Sequence, residues 1–298
     1  MLIEKAIVPL DGSATAEVVL PYAEEFLGST ASELILVFVK DPYDKRSDNM
    51  LQSYLEGVTN RVKTNAMQYL KKPGIREFKV TTRILIGDPA EELVKFVEQN
   101  QNSQITIASH GHSGRGTRWP LGSVADQVAN ATDVPMLLIR SEIDRPAIRP
   151  KGHFHHILAP LDGSRESEAS LPYVIEKALI YNAEVTLLGV LFFTMSGDGS
   201  ATPEHPKMIE KKADVAKYLS KQVEFLEGKG VSAEYIVRET SSSIADEINQ
   251  FTRDNIMDIV IMSTQGALGL RRWMMGSVTN RVLREGNTPL LLIRPFRK

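Results

Sequence analysis

Cysteine is absent from this chain of 298 residues. Its absence excludes disulfide bonds, thiolate metal sites and cysteine nucleophiles. A chain without disulfides suits a reducing compartment, and we expect a soluble, cytoplasmic protein. Long apolar runs are also missing: none approaches the roughly 18 residues that span a bilayer, so we expect no membrane segment. The first residues, MLIEKAIVPLDGS, form too short and too charged a stretch for a signal peptide.

An excess of charge of either sign is lacking as well. Lys and Arg total 35 and Asp and Glu total 37, giving a net charge of −2. This balance does not favour nucleic acid or an anionic membrane as the main partner. The hydrophobic content of 42% and charged content of 24% are ordinary for a soluble globular protein. The length predicts about two domains.

The sequence repeats itself. KAIVPLDGSATAEVVLPYAEEFL at residues 5–27 has a counterpart, HILAPLDGSRESEASLPYVIEKAL, at residues 156–179. The halves also end alike, with TDVPMLLIR at 132–140 and NTPLLLIR at 287–294. The same pieces in the same order, at an offset of roughly 150 residues, indicate duplication of one domain of about 140 residues. The stretch SEIDRPAIRPKG has two prolines and no apolar periodicity. We therefore expect domains at 1–141 and 153–298, joined by a linker at 142–152.

Short runs rich in Ile, Val and Leu alternate with amphipathic stretches in both halves. This alternation predicts βαβ units, with a buried parallel sheet covered by helices on both faces. Each half is interpreted as an open α/β sandwich of about five strands. The predicted strands are Ala6–Leu10, Leu34–Val39, Val80–Ile86, Ile105–Ser109 and Met136–Ile139, then Ile157–Leu161, Val185–Val190, Ala233–Val237, Ile259–Ser263 and Leu290–Ile293. The predicted helices of the first half are Ala14–Leu27, about Leu51–Lys71, Ala90–Asn100 and Ser123–Ala131.

Prolines recur inside the predicted first helices, as Pro21 and Pro172. An interior proline removes a backbone hydrogen bond and kinks a helix. We predict a kink at both positions, with a role in packing.

Ligands of such sheets bind beyond the carboxyl ends of the strands, where the strand order reverses. Asp11 and Asp162 follow the first strand of each half, inside the shared Asp-Gly-Ser motif. A carboxylate there can accept a hydrogen bond from a base amino group or a ribose hydroxyl. Asp-Gly-Ser is equally good turn chemistry, with Ser13 capping the next helix. Both interpretations remain at this point.

Two glycine loops follow the fourth strands. They read ASHGHSGRGTRWPLGSV at 108–124 and STQGALGLRRWMMGSV at 263–278. Glycine lets the backbone approach an anion, and the helix that begins after each loop offers unpaired N–H groups and the positive end of its dipole. Ser277 adds a hydroxyl; Arg271 and Arg272 are candidate charges, although surface arginines are usually just solvated. The alternative is an ordinary connection between a strand and a helix.

Together these motifs resemble the universal stress protein family. The resemblance rests on PLDGS, the glycine loop, Gly-Ser-Val and VPMLLIR or TPLLLIR, and it covers nearly the whole chain, twice. It implies a tandem pair of five-stranded domains of the adenine nucleotide alpha hydrolase type. It further implies that the halves pair through their last strands as an intramolecular pseudo-dimer, with a further homodimer left open. Nucleotide-binding members have glycine, two residues, glycine, nine residues, glycine, then serine or threonine; the other branch lacks this motif and does not bind ATP.

In the second half, the resemblance assigns adenosine and phosphate contacts to seven positions. The spacing between the second and third glycines is kept, but serine stands where the family has its first glycine. Asp162 and Val190 would hold the adenosine, and the loop set is Ser263, Gly266, Gly276, Ser277 and Val278.

In the first half, alanine stands at the first glycine, and ten residues instead of nine separate the other two. Two outcomes are open: the extra residue is absorbed at Gly114 and Gly116, or the insertion spoils the phosphate site. The corresponding set is Asp11, Val39, Ala108, Gly111, Gly122, Ser123 and Val124.

The sequence signals for a metal site or for catalysis are weaker. GHFHH contains His153, His155 and His156 but no carboxylate at a matching spacing, so we expect no metal site there. His110 and His112 lie in the first glycine loop, where contact with phosphate is one interpretation and a solvated loop is the favoured one. The stretch MSGDGSATPEHPK at 195–207 is interpreted as a mobile loop. No Ser-His-Asp order or paired carboxylates suggest catalysis, and we assign no catalytic residue.

The expected function is that of a stress-response or regulatory protein that binds ATP or another adenine nucleotide, with or without Mg²⁺. The second domain is the better candidate, and the first domain is a weaker one. One alternative is a scaffold of the same fold that binds no nucleotide and acts through protein contacts. The other is a slow ATPase, ranked last because nothing resembles a base that would activate water.

Overall fold

The computed structural model describes residues 3–30, 33–69, 78–100, 102–111, 121–141, 152, 154–193, 206–266 and 275–295. Contacts divide the chain into two compact units, Met1–His153 and Phe154–Lys298. Within the described ranges, no helix combines the length and apolar character that crossing a membrane requires.

The first unit is a parallel sheet with helices between its strands. Its strands run in the order β3-β2-β1-β4-β5. Four of them are largely buried because helices cover both faces, which explains their runs of Ile, Leu and Val. The elements are β1 (Lys5–Leu10), α1 (Ala14–Glu17), α2 (Leu20–Thr30), β2 (Glu33–Lys40), α3 (Asp48–Ala66), a 3-10 turn (Met67–Tyr69), β3 (Lys79–Ile86), α4 (Pro89–Glu98), β4 (Ser103–Ala108), α5 (Ser123–Ala131) and β5 (Met136–Ile139).

The second unit repeats this arrangement, with strands in the order β10-β9-β6-β7-β8. Its elements are β6 (His156–Pro160), α6 (Arg165–Glu168), α7 (Leu171–Tyr181), β7 (Glu184–Phe192), α8 (Pro206–Glu227), β8 (Ala233–Thr240), α9 (Ile244–Asp254), β9 (Ile259–Ser263), α10 (Ser277–Glu285) and β10 (Leu290–Ile293). The predicted α/β class with a parallel sheet is confirmed.

The strand order reverses beside the first strand of each unit. From β1 the chain adds β2 and β3 on one side and then crosses to β4 on the other, and the second unit does the same around β6. Helices that leave the sheet in opposite directions open a crevice at the carboxyl ends of β1 and β4, and of β6 and β9. The Asp-Gly-Ser motifs and both glycine loops begin at these strand ends.

The predicted kink at Pro21 and Pro172 is wrong. The helix expected over Ala14–Leu27 is two helices, α1 and α2, and Pro21 is the second residue of α2. Pro172 likewise lies in the first turn of α7. The first N–H groups of a helix have no intrahelical acceptor, so proline costs no hydrogen bond there and its fixed φ favours a helix start.

Other element boundaries differ by a few residues. The predicted helix at Leu51–Lys71 begins earlier, at Asp48, because the Ser47 hydroxyl accepts from the Met50 N–H at 3.3 Å. It ends at Ala66, and residues 70 and 71 lie outside the described residues. Most of the predicted loop at 195–207 also lies outside them, and residues 206 and 207 belong to α8.

Candidate functional site

The turn after β6 fixes the Asp162 carboxylate. Its Oδ1 accepts from the Ser164 N–H at 3.0 Å and from the Ser164 hydroxyl at 2.5 Å. The same hydroxyl accepts from the Ser167 N–H at 3.1 Å, which caps α6. Gly163 has a φ of +83°, a left-handed conformation that glycine adopts without strain. The turn interpretation of Asp-Gly-Ser is therefore correct locally, and it holds one carboxylate oxygen in place.

The other oxygen of this carboxylate lies against the glycine loop. A Cβ built on Gly266 would come well within 3 Å of Asp162 Oδ2. The first unit repeats the relation, since a Cβ on Gly111 would lie 2.5 Å from Asp11 Oδ2. Both pairs bring an aspartate and a glycine together that are about a hundred residues apart in the sequence. A larger residue at either glycine would therefore displace the carboxylate from this position.

Gly276 occupies the N-cap of α10 for a different reason. Its φ of −60° and ψ of 149° suit any residue, and a Cβ there would make an ordinary contact of 3.4 Å with the Thr264 carbonyl oxygen. Within the part of the chain that the structure describes, neither backbone conformation nor packing requires glycine at this position. The consequence is that no side chain caps α10, whereas Ser47 and Ser164 cap α3 and α6. Among the described side chains, none accepts from the first-turn N–H groups of α10.

A cavity of about 240 Å³ lies at this edge of the second unit. Its volume is close to the lower end of ligand pockets, about 300 Å³. All seven second-half positions singled out from the sequence line it, and its wall is largely apolar. The site residues are Asp162, Val190, Ser263, Gly266, Gly276, Ser277 and Val278, and the apolar lining includes Leu161, Leu188, Ile244, Ile248 and Met262. Residues 267–274, with Arg271 and Arg272, lie outside the described residues.

The charges of this cavity are arranged asymmetrically. Asp162 supplies a carboxylate, and the N-terminus of α10 supplies a positive end equivalent to roughly half an elementary charge. Apart from these two charged features, the wall of the cavity is mainly apolar. Such a site suits a ligand that combines hydrogen-bond donors, an apolar part and an anionic part.

The first unit places the corresponding residues in the same order along the chain. Gly122 is the N-cap of α5, with φ −67° and ψ 150° and no side-chain cap, and its N–H donates to the Ser109 carbonyl at 2.8 Å. Ala108 is buried at the end of β4, and Val39 is the second-last residue of β2. Ser123 and Val124 open α5. Residues 112–120, which include His112, Gly114 and Gly116, lie outside the described residues.

Arg46 is a residue of the first site that the sequence did not reveal. Its Nη1 donates to the Asp11 carbonyl at 3.4 Å, and its guanidinium lies 4.9 Å from the centre of the Phe38 ring. Asp44 holds it in a bidentate ion pair whose shortest distance is 2.6 Å. The side-chain hydrogen bond between Arg46 and Asp44 lowers the pKa of Asp44 and raises the pKa of Arg46. Arg46 thus steadies the turn that presents Asp11.

His110 is buried, at 5% exposure, so its interpretation as a solvated residue is wrong. In the histidine cluster, the buried Asp258 accepts from the N–H groups of His155 and His156 at 2.9 and 3.0 Å. His153 lies outside the described residues. Among the residues with a described position, no three or more His, Asp or Glu side chains are grouped to hold a metal ion.

Known proteins are similar to this chain in both sequence and fold. The universal stress protein family matches residues 3–140 and 153–294. Universal stress protein MJ0577 of Methanocaldococcus jannaschii is 28% identical over 158 residues, covering 47% of this chain and 96% of the relative. Universal stress protein YxiE of Bacillus subtilis is 28% identical over 149 residues, covering 47% and 99%. A universal stress protein from Archaeoglobus fulgidus superposes with a TM-score of 0.69 at 20% identity, covering 98% of both chains.

The fold thus defines a class of α/β proteins with a crevice where the strand order reverses. The family match extends over both halves of the chain. The chain belongs to the universal stress protein family, and it contains two tandem copies of the family's domain.

Proposed function

We propose that the second domain binds ATP or a related adenine nucleotide, with the first domain as a second site, and that the protein acts as a regulator without strong catalysis. In this proposal Asp162 and Val190 contact the adenosine. The loop positions Ser263, Gly266 and Gly276 face the ribose and phosphates, with Ser277 and Val278 opening the helix beneath them.

The observation that supports this proposal best is the glycine at the start of α10. Gly276 meets no steric or conformational need among the described residues, yet it leaves the N-terminus of α10 without a side-chain cap at the edge of an apolar cavity. Helix N-termini of this kind bind phosphate through backbone N–H groups. A phosphate at that place supplies the acceptor that a capping side chain supplies elsewhere in the chain.

The departure at Ser263 is compatible with a ligand. Its hydroxyl accepts from the Gln265 N–H at 3.2 Å, so it is directed along the loop backbone. Ser263 is also buried, at 4% exposure. The first-domain site depends on residues 112–120, and we rank it second because its loop is one residue longer than the family pattern.

The proposal also covers the metal ion, the pairing of the domains and the cellular location. Mg²⁺ would accompany a bound triphosphate, the two domains would pair within the chain as a pseudo-dimer, and a further homodimer is compatible with this pairing. We place the protein in the cytoplasm, since a chain without cysteine suits a reducing compartment.

The test is nucleotide recovery combined with calorimetry. Protein purified without added nucleotide is denatured and its released small molecules are identified by mass spectrometry, and stripped protein is titrated with ATP and Mg²⁺. We expect adenine nucleotide in the first experiment and saturable binding in the second. The matched variant is Gly276→Val, which should lose second-domain binding. Recovery of no nucleotide together with no binding heat would refute the proposal.

A scaffold that binds no nucleotide is the second candidate. It is favoured by one observation, the absence of the family's first glycine from both copies, where Ala108 and Ser263 stand instead. A scaffold would show neither recovered nucleotide nor binding heat while retaining its fold. Slow ATP hydrolysis would instead appear as phosphate release that Gly276→Val abolishes.

A further inference from the structure

The two domains hold the entry of the glycine loop with different serines. In each loop the second residue after the strand, His110 or Gln265, has a backbone N–H that a serine hydroxyl accepts. The serine is Ser141 in the first domain and Ser263 in the second. These residues do not occupy equivalent positions in the repeat.

In the first domain the holding residue comes from the end of β5. The Ser141 hydroxyl accepts from the His110 N–H at 3.0 Å and donates to the His110 carbonyl at 3.1 Å. The Ser141 N–H donates to the Ser109 hydroxyl at 3.0 Å. Ser141 therefore uses its backbone and its side chain to fix the two residues that lead into the loop.

The second domain cannot use this arrangement, because the equivalent position after β10 is Pro295. The backbones correspond, since the Ser109 N–H donates to the Ile139 carbonyl just as the Thr264 N–H donates to the Ile293 carbonyl. Proline has neither an N–H nor a hydroxyl. The Thr264 hydroxyl is accordingly buried without a hydrogen-bond partner among the described residues.

Ser263, the last residue of β9, makes a contact of the same kind. Its hydroxyl accepts from the Gln265 N–H at 3.2 Å, and its carbonyl accepts from the Thr279 hydroxyl of α10 at 2.9 Å. Ala108, the first-domain equivalent of Ser263, has no hydroxyl to do so. Ser263 thus gives the Gln265 N–H the hydroxyl acceptor that Ser141 gives the His110 N–H.

We propose that Ser263 in the second domain, and Ser141 in the first, are positioning residues that hold the loop entry in the conformation that receives the nucleotide. Ser263 is then a substitute for the contact that Pro295 removes. This inference rests on the proposed function, because it assigns a role in nucleotide binding. A loop that is already ordered loses less entropy when the ligand binds.

The test is a cycle of four variants in the full chain: Ser263→Ala, Pro295→Ser, the double variant, and Ser263→Gly. Exchange of the Gln265 amide is followed by hydrogen–deuterium exchange without ligand and across a titration with ATP and Mg²⁺, which gives the affinity at the second site alone. Ser263→Ala should speed exchange of this amide and weaken ATP about fivefold, the size of one net hydrogen bond. Pro295→Ser, added to it, should restore both to within about twofold, because it supplies the acceptor that Ser141 supplies in the first domain.

Matched controls separate positioning from general destabilisation. Ser141→Ala should speed exchange at His110 and leave Gln265 unchanged. Unchanged Gln265 exchange in Ser263→Ala would overturn the proposal, and so would a restored melting temperature without restored affinity in the double variant. Tighter ATP binding by Ser263→Gly would also overturn it, because crowding would then outweigh positioning. If the wild-type chain binds no ATP, the proposed function fails and this inference fails with it; altered Gln265 exchange would then leave only a structural role for Ser263.

Discussion

Gly276→Ser adds a capping side chain to α10, the helix whose N-terminus we propose binds phosphate. The backbone of Gly276 already has the extended conformation of a serine N-cap, and a Cβ there has an ordinary contact of 3.4 Å. Capping serines in this chain accept from first-turn N–H groups at 3.1 to 3.4 Å. Serine exceeds glycine at an N-cap by a few tenths of a kcal/mol. We therefore expect the ligand-free protein to melt about 1 °C higher.

The same substitution should weaken nucleotide binding. The new hydroxyl accepts the N–H that the phosphate would otherwise accept, and a hydrogen bond to a charged group contributes about 1.5–3 kcal/mol. Loss of one such bond corresponds to a rise in Kd of roughly 10- to 150-fold. Stability and affinity should therefore change in opposite directions, which a purely structural role of Gly276 does not produce.

The assay is thermal unfolding without ligand, followed by calorimetric titration with ATP and Mg²⁺. Gly57→Ala is the control, because Gly57 is exposed within α3 and a Cβ there meets nothing within 4 Å. This control should gain stability and keep its affinity. An unchanged Kd in Gly276→Ser, with the expected gain in stability, would show that the N-terminus of α10 takes no part in binding.

Three further outcomes follow from the packing and the charges. Gly57→Ala should stabilise the protein by about 0.4–1 kcal/mol, measured by chemical unfolding. Gly28→Ala should instead destabilise it by about 1–3 kcal/mol, because its Cβ would lie 2.7 Å from that of Tyr69 and closer still to the backbone of Ala66. Burial lowers the pKa of Lys177 to about 8, so the unfolded chain binds more protons than the folded one above that pH. Stability should consequently rise from about pH 8 towards pH 10, and this rise should be absent in Lys177→Met.

The sequence predicted the strands well because parallel strands with both faces buried are continuous apolar runs. Met136–Ile139, Ile259–Ser263 and Leu290–Ile293 have the predicted bounds. The break between α1 and α2 was missed, since a proline in an apolar stretch fits either a kink or a new helix start. Internal repetition located the glycine loops, because each loop confirmed the pattern of its counterpart.

Contacts between distant parts of the chain could not be predicted from spacing. Arg46 contacts Asp11 across 35 positions, and Ser141 contacts His110 across 31. Both contacts depend on which strand ends lie side by side. From the sequence alone, Ser263 is only a departure from a family motif. Its hydrogen bond to Gln265, together with proline at the position equivalent to Ser141, gives a physical reason for the serine.

A crystal structure of the full chain saturated with ATP and Mg²⁺ tests the central claim most directly. We predict phosphate oxygens within hydrogen-bond distance of the first-turn N–H groups of α10, with Asp162 and Val190 against the adenosine. Saturated protein in which the nucleotide lies elsewhere, with the start of α10 bound only to water, would contradict the claim.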